Sequence, residues 1–495
     1  MSAGAAADAS ANRLILRGSA SAVAGLIIRL GARLLFLFIA ARLFGAVLFG
    51  AYSLAVAIVE LAVAAGLLGM KRILFKLLDE DESGRAPAHI VLDAAVVVGA
   101  ASLALALGLM ALLLVPAVAA AAGETGFALF LIAPMIAGQA LLDLLLAATR
   151  WKHLMRYEVV ARSVVEPWAA LAATAAAWLA GYTGIGLLIG YWAGTMCALA
   201  YALFGARRAL GGFAARAYRL PKGRARAILA AGGVPVMTDI VAAMFARIDL
   251  YLVGLFLGEG PAGIYGVARQ IRTPVRQVRQ SFDGLLTPIA AKTLAARGTA
   301  ETGAAFATAA RLILALQLPL VIAMIVVGLP LLHWFGPEFA AGYWALVFLA
   351  AAETVLGAFG VSELILVYRA PGRALAITLA MIAVNLALGW ALIARFGIDG
   401  AGAAVLAAVI VGAVARRLSL RRLGVRVPLL FSLGPVAAAA AGIAAGLVAI
   451  RLLPGADVAF VLAALAAALA AYALVLKLWL TATGETLALR QFRVE

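Results

Sequence analysis

The chain has 495 residues, 66% of them hydrophobic and 13% charged, with a formal net charge of +17 and a mean hydropathy of +1.09. A soluble domain of this size needs far more surface charge, so the composition excludes a soluble globular protein and points to an all-α, polytopic membrane protein. The single cysteine, Cys197, excludes an intramolecular disulfide, and His89, His153 and His333 lack metal-ligand spacing, so no metal is expected.

Apolar stretches long enough to cross about 30 Å of hydrocarbon run near 18–41, 47–69, 90–117, 127–148, 159–179, 184–205, 229–256, 262–289, 306–331, 342–367, 374–394, 399–415, 429–450 and 458–479, predicting fourteen transmembrane helices. The short alternating segments of a β-barrel are lacking. With both termini in the cytoplasm, only Arg42, Arg395 and Arg451 of the 40 Lys and Arg fall on the outer side. That imbalance sets the topology and makes most of the net charge a topogenic signal. The basic connections 206–226 and 416–426 can attract anionic membrane lipids. They have no nucleic-acid reader fold beside them, so nucleic acid is not an expected partner.

The first span carries Arg29 and Arg33 on one face, one turn apart. Glu60, near the middle of the second span, is placed to neutralise one of them, either as a structural lock or leaving the other arginine to an anionic ligand. Residues 70–88 form a polar inner loop whose acidic run, Asp79 to Glu82, reads as a solvated face. Asp93 and Asp143 mark the inner rim, and Pro134 predicts a kink. Glu158, Arg162 and Glu166 stand four apart on one face of the fifth span and can satisfy one another. The sixth span, rich in Gly, Tyr and Ala, predicts close packing.

The 206–226 loop divides the chain. Beyond it, Gly45-x4-Gly50-x-Tyr52-x2-Ala55 recurs as Gly258-x4-Gly263-x-Tyr265-x2-Ala268. Both copies fall on the outer turn between the first two spans of a six-span block, and an even number of spans leaves the blocks parallel. The predicted organisation is a cytoplasmic tail (1–17), two pseudo-symmetric six-helix bundles (18–228 and 229–428), two additional helices (429–480) and a second cytoplasmic tail (481–495).

The stretch Val234 to Pro288 carries the densest charge inside apolar segments. At about 100° per residue, Arg269, Arg272, Arg276, Arg279 and Asp283 fall within roughly 80° of one another, opposite Val267, Ile271, Val275, Val278 and Phe282. An arginine at bilayer depth costs about 2.5–3.5 kcal/mol on insertion scales, so this stripe should face a wet, protein-lined cavity. Asp239 and Asp249 in the seventh span and Glu353 in the tenth are deep carboxylates, read either as pairing partners or as ion-coupling groups. The first, second, seventh and eighth spans hold seven arginines (Arg29, Arg33, Arg247, Arg269, Arg272, Arg276, Arg279) against four carboxylates (Glu60, Asp239, Asp249, Asp283), and 7 − 4 = 3.

Arg247-Ile248-Asp249-Leu250-Tyr251-Leu252-Val253-Gly254, followed by Gly258 to Tyr265, resembles the seventh-to-eighth helix region of oligosaccharide-lipid flippases. These belong to the multidrug/oligosaccharidyl-lipid/polysaccharide exporter superfamily, within which the multidrug (MATE) exporters form another branch. Ile15-Leu16-Arg17-Gly18-Ser19, Arg42-Leu43-Phe44-Gly45, Gly50-Ala51-Tyr52-Ser53 and Phe335-Gly336-Pro337-Glu338-Phe339 match the same pattern. The resemblance implies a bacterial inner-membrane protein that moves undecaprenyl-diphosphate-linked glycan to the outer leaflet by alternating access, for O-antigen, capsule or exopolysaccharide. It implies no enzymatic activity and no cofactor, coupling to a proton or sodium gradient, and glycosyltransferases and a polysaccharide polymerase as partners. By likeness to lipid II flippases, Arg29 or Arg33 and Arg269, Arg272, Arg276 or Arg279 would hold the diphosphate. The 429–479 pair would hold the lipid tail. Arginine forks match phosphate oxygens, and no P-loop or nucleophile triad is present. The alternatives are a cation-coupled multidrug exporter, disfavoured by the cationic stripe, and a non-transporting scaffold.

Overall fold

A computed structural model describes residues 2–80, 84–211, 218, 220–282, 299–425, 433–452 and 458–483, with the side chains of 2–30, 299–306, 361, 364 and 368 outside the description. Asp283 and the Arg29 side chain thus lie outside the described residues. The described chain is helical throughout, with no strands, and it divides into two compact units, Met1–Arg247 and Ile248–Glu495.

The first unit contains α1 (Ser2–Gly66), α2 (Met70–Asp79), α3 (Pro87–Leu113), α4 (Pro116–Ile132), α5 (Met135–Trp151), α6 (Arg156–Val160), α7 (Glu166–Leu179), α8 (Gly186–Leu210) and most of α9 (Arg224–Leu257). The division between the units falls within α9. At its centre α5 is buried on nearly every side by Ile136, Ala140, Leu142, Leu144, Leu146 and Ala147, and it packs on α1, α3 and α8. Between α6 and α7 the chain makes a single π turn, Ala161–Val165. Pro167 has no N–H and its ring crowds the carbonyl four residues back, so the regular ladder cannot continue there. The expected packing role of the sixth span is met by glycines. A Cβ on Gly190 would overlap Thr174, and one on Gly194 would stand 2.9 Å from the Glu166 carbonyl, so α7 and α8 approach at backbone distance.

The second unit contains the end of α9, α10 (Glu259–Ile271), α11 (273–282), α12 (Thr299–Val326), α13 (Gly328–Phe335), a 3-10 turn (Pro337–Gly342), α14 (Tyr343–Phe359), α15 (Val361–Arg369), α16 (Pro371–Arg422), α17 (Leu433–Leu452) and α18 (Val458–Thr483). α14 packs against α16, where Gly402 meets the Ala345 backbone. The last two helices pack on each other and on α12. Gly442 sits under the Ala468 carbonyl, and the Tyr472 hydroxyl donates to the Ala315 carbonyl at 2.9 Å.

Among the described residues nine helices are long and apolar enough to cross a membrane, ten if α4 and α5, bent by 52°, are one span. Two of the long elements, α1 and α16, each join two helices across a kinked glycine, Gly45 (φ 73°) and Gly397 (φ 57°). Counting those as two each, and the interrupted runs α4–α5, α6–α7, α10–α11 and α14–α15 as one each, is compatible with fourteen spans. The two copies of the sequence repeat begin alike. Gly45 has φ 73° and ψ 176° and Gly258 has φ 82° and ψ −167°, a conformation that a side chain would strain.

Candidate functional site

The polar residues inside the first unit line a cavity of about 600 Å³. Arg162, carried on the π turn, reaches three partners: Asp143, Glu166 at 2.7 Å and the Gln139 side-chain carbonyl at 3.1 Å. The Gln139 amide in turn donates to Glu166 Oε1 at 3.3 Å and to Thr195 Oγ1 at 3.0 Å. Lys71 closes on the other oxygen of Asp143 at 2.7 Å. Arg150 pairs with Glu158 at 3.3 Å, so the fifth-span acids are satisfied partly from within the span and partly from α5.

The loop expected at 70–88 begins as an amphipathic helix. Met70, Leu74 and Leu78 of α2 are buried, while Lys71, Arg72 and Lys76 are exposed. Gly69, at φ 70°, makes the turn into α2 and lacks the Cβ that would meet Pro235 of α9 at 2.5 Å. That close approach lets Arg72 pair with Asp239 at 3.1 Å. Asp239 is therefore held by the inner loop helix, a partner that sequence reading did not find.

Glu60 pairs with Arg247 of α9, a partner that sequence reading did not name. Arg33 is half-buried on α1, and its charge bears on Tyr52. The five carboxylates that line the cavity (Glu60, Asp143, Glu158, Glu166, Asp239) are all paired, with the lining cations Lys71, Arg150 and Arg162 and with Arg72 and Arg247 from outside the lining, so the pairs balance at 5 − 5 = 0. A separate hub ties loops to α3: the fully buried Asp93 pairs with Arg85 and with Arg224 at 3.4 Å and accepts a 2.8 Å hydrogen bond from Tyr218. Burial, with the hydrogen bond to Asp93 and its charge, pushes the Tyr218 hydroxyl up to about 12, so it stays a donor at neutral pH.

In the second unit the arginine stripe divides along its length. Arg269 Nε lies 3.0 Å from Asp249 Oδ2, and the same oxygen accepts a 2.8 Å hydrogen bond from the Tyr265 hydroxyl. The helix then breaks at Arg272, because Pro274 has no N–H for the preceding turn. Arg272 turns into the protein and pairs with Glu353 at 3.2 Å, the two side chains being 9% and 2% exposed. Beyond the break, Gln317 of α12 donates to the Val275 carbonyl at 2.9 Å.

Arg276 and Arg279 are half-buried on α11. The Arg279 stem runs against Gly360, and its charge bears on Arg416 of α16. Arg416, 5% exposed, pairs with Glu363 at 3.0 Å. The sequence placed Arg416 in a basic inner loop. The structure buries it on a membrane helix beside a second arginine. In the second unit Arg269, Arg272 and Arg416 are thus paired with Asp249, Glu353 and Glu363, and the charge of Arg279 bears on Arg416. Among the described residues no three His, Cys, Asp or Glu gather as a metal site.

Comparison with known proteins gives the fold and the family of this helical membrane protein. The fold is similar to the inward-facing conformation of a multidrug resistance MATE family transporter of the MOP superfamily, with a TM-score of 0.62 and 15% identity over 81% of this chain and 99% of that one. It is also similar to the MATE multidrug transporter DinF-BH, with a TM-score of 0.52 and 16% identity over 80% and 92% of the two chains. A search of curated proteins finds no significant match. The family described as polysaccharide biosynthesis protein matches residues 15–292. The chain belongs to that family, as a multi-pass membrane protein with a MATE-like fold.

Proposed function

We propose that the chain is a flippase that carries undecaprenyl-diphosphate-linked oligosaccharide across the bacterial cytoplasmic membrane by alternating access, feeding O-antigen, capsule or exopolysaccharide assembly. The observation that carries this reading is the concentration of guanidiniums inside the second unit, where Arg272 and Arg416 are buried and the charge of Arg279 bears on Arg416. A dianionic diphosphate suits such a neighbourhood, since guanidinium forks match its oxygens. The same neighbourhood disfavours a cationic drug as cargo. The carriers of the head group are therefore Arg276 and Arg279, with Arg416 added and with Arg29 or Arg33 from the first span. Arg269 and Arg272, already matched by buried carboxylates, act mainly in holding α10 and the break. Two parallel six-helix bundles with two further helices, cytoplasmic termini, and glycosyltransferase and polymerase partners belong to the same proposal.

Coupling to a proton or sodium gradient is assigned to Asp239 and Glu353. Each has one oxygen in an ion pair and the other, Asp239 Oδ2 and Glu353 Oε2, buried without a hydrogen-bond partner. A proton or cation taken there in one conformation and released in another shifts the equilibrium through its differential affinity. The flippase reading is tested by measuring lipid-linked oligosaccharide on the cytoplasmic leaflet together with membrane abundance. Arg279→Ala with Arg416→Ala should cause accumulation at normal protein level. Normal transport by that double variant would return the cluster to a structural role.

A further inference from the structure

The first-unit cavity is a polar chamber that the diphosphate reading leaves without a task. Every carboxylate on its wall has a cationic partner, and the pairs sum to zero. An anionic head group meets more carboxylates than cations on the wall itself and finds no net attraction there. A cationic ligand finds each carboxylate already paired.

What such a wall offers is dense hydrogen bonding without net charge. Paired carboxylates keep further lone pairs for hydroxyl donors, and Asp239 Oδ2 has no hydrogen-bond partner. The guanidinium of Arg162 has further N–H groups to give, whereas both N–H groups of Gln139 are already donated to Glu166 and Thr195. Between these groups lie apolar surfaces from Val63, Leu67 and Leu146 and the ring of Tyr191. Hydroxyls at the edges and C–H groups on the faces are how a pyranose presents itself, and about 600 Å³ lies within the usual size range of small-molecule sites.

We infer that this cavity is a subsite for the uncharged, hydroxyl-rich sugars of the cargo and excludes its diphosphate. The inference rests on the flippase reading for the identity of the cargo. Tyr191 and Arg162 are the specificity-determining residues, and Gln139 positions Arg162, Glu166 and Thr195 through its three hydrogen bonds.

The test uses purified full-length protein and two probes. One is free oligosaccharide released by mild acid from the lipid-linked pool of the host cells, split on an anion exchanger into neutral and acidic fractions. The other is inorganic pyrophosphate. Ala242 lines the cavity and is itself exposed, so Ala242→Trp fills the space without removing a charged side chain. Calorimetry should show neutral glycan binding weakened about tenfold by Ala242→Trp, with pyrophosphate binding unchanged. Arg279→Ala should do the reverse, and Gln139→Glu should alter the preference among neutral glycans. Undiminished glycan binding by Ala242→Trp, binding of the acidic fraction alone, loss of pyrophosphate binding in the same variant, or no glycan binding to the wild type would each overturn the subsite. Glycan binding that persists while the leaflet assay shows no transport would refute the flippase reading and leave the subsite standing.

Discussion

Replacing Asp249 with alanine removes the common partner of two buried groups, and the structure sets the size of the effect. Asp249 is 4% exposed and the Arg269 side chain facing it 10%. Breaking a buried ion pair from one side costs about 3–5 kcal/mol, because the remaining charge is left without compensation. The Tyr265 hydroxyl, fully buried and bonded to the same oxygen, loses its acceptor at about 1–3 kcal/mol. The two losses share one atom and do not simply add, so about 3 kcal/mol is a floor, equivalent to more than ~100-fold in the folded-to-unfolded ratio. The assay is the fraction of monodisperse protein surviving graded heating in detergent, read by fluorescence-detected size exclusion, beside abundance in the membrane. Asp249→Asn keeps an oxygen for Tyr265 and should fall between Asp249→Ala and the wild type. Asp249→Ala with Arg269→Met removes both charges and should recover most of the loss. A single alanine variant as heat-stable as the wild type, or a double variant worse than the single, would refute the pairing argument.

Arg276→Ala should abolish transport at normal membrane abundance, while Arg276→Lys should restore only part of it, since an ammonium lacks the planar fork. Both are read as lipid-linked oligosaccharide accumulating on the cytoplasmic leaflet. Asp239→Asn and Glu353→Gln should each weaken the dependence of flipping on an imposed proton or sodium gradient, and full dependence in both variants would remove these carboxylates from coupling. Gly194→Leu should lower heat stability by about 1–3 kcal/mol through overpacking of α7 against α8, while the same change at Gly233, where a Cβ meets nothing, should be tolerated.

Periodicity carried the parts of the molecule that depend on one segment at a time. The helical, membrane-spanning class follows from apolar runs, the φ-positive turns follow from Gly45 and Gly258, and the shared face of Arg269, Arg272, Arg276 and Arg279 follows from a 3.6-residue repeat. The pairing of charges was not legible in the same way. Glu60 could be matched by depth to any nearby arginine, and only the rotation of α1 against α9 selects Arg247. Asp239 meets a residue from a loop helix, and the turn that brings it there depends on Gly69 having no side chain against Pro235. The spacing of Met70, Leu74 and Leu78 announces that helix in the sequence, but the surrounding Lys, Arg and acidic residues make it read as loop. Arg416 was hidden by its neighbours, since Arg417, Arg421 and Arg422 belong to a basic segment and only the buried face of α16 separates Arg416 from them.

The distribution of charge says more than its total. A pair such as Arg272 and Glu353 could be replaced by apolar residues of similar volume with little loss of stability, so stability alone gives no reason to keep it. In the first unit the pairs are complete, and they surround a chamber. In the second, two pairs fix the start of the stripe and the helix break, and α11 carries Arg279 toward Arg416 in spite of their mutual repulsion. Two guanidiniums drawn together inside a membrane protein are tolerable when water or an anion stands between them for part of the working cycle. An anion with several oxygen acceptors is therefore the kind of ligand this pair of side chains suits, because each guanidinium can present a planar fork to it.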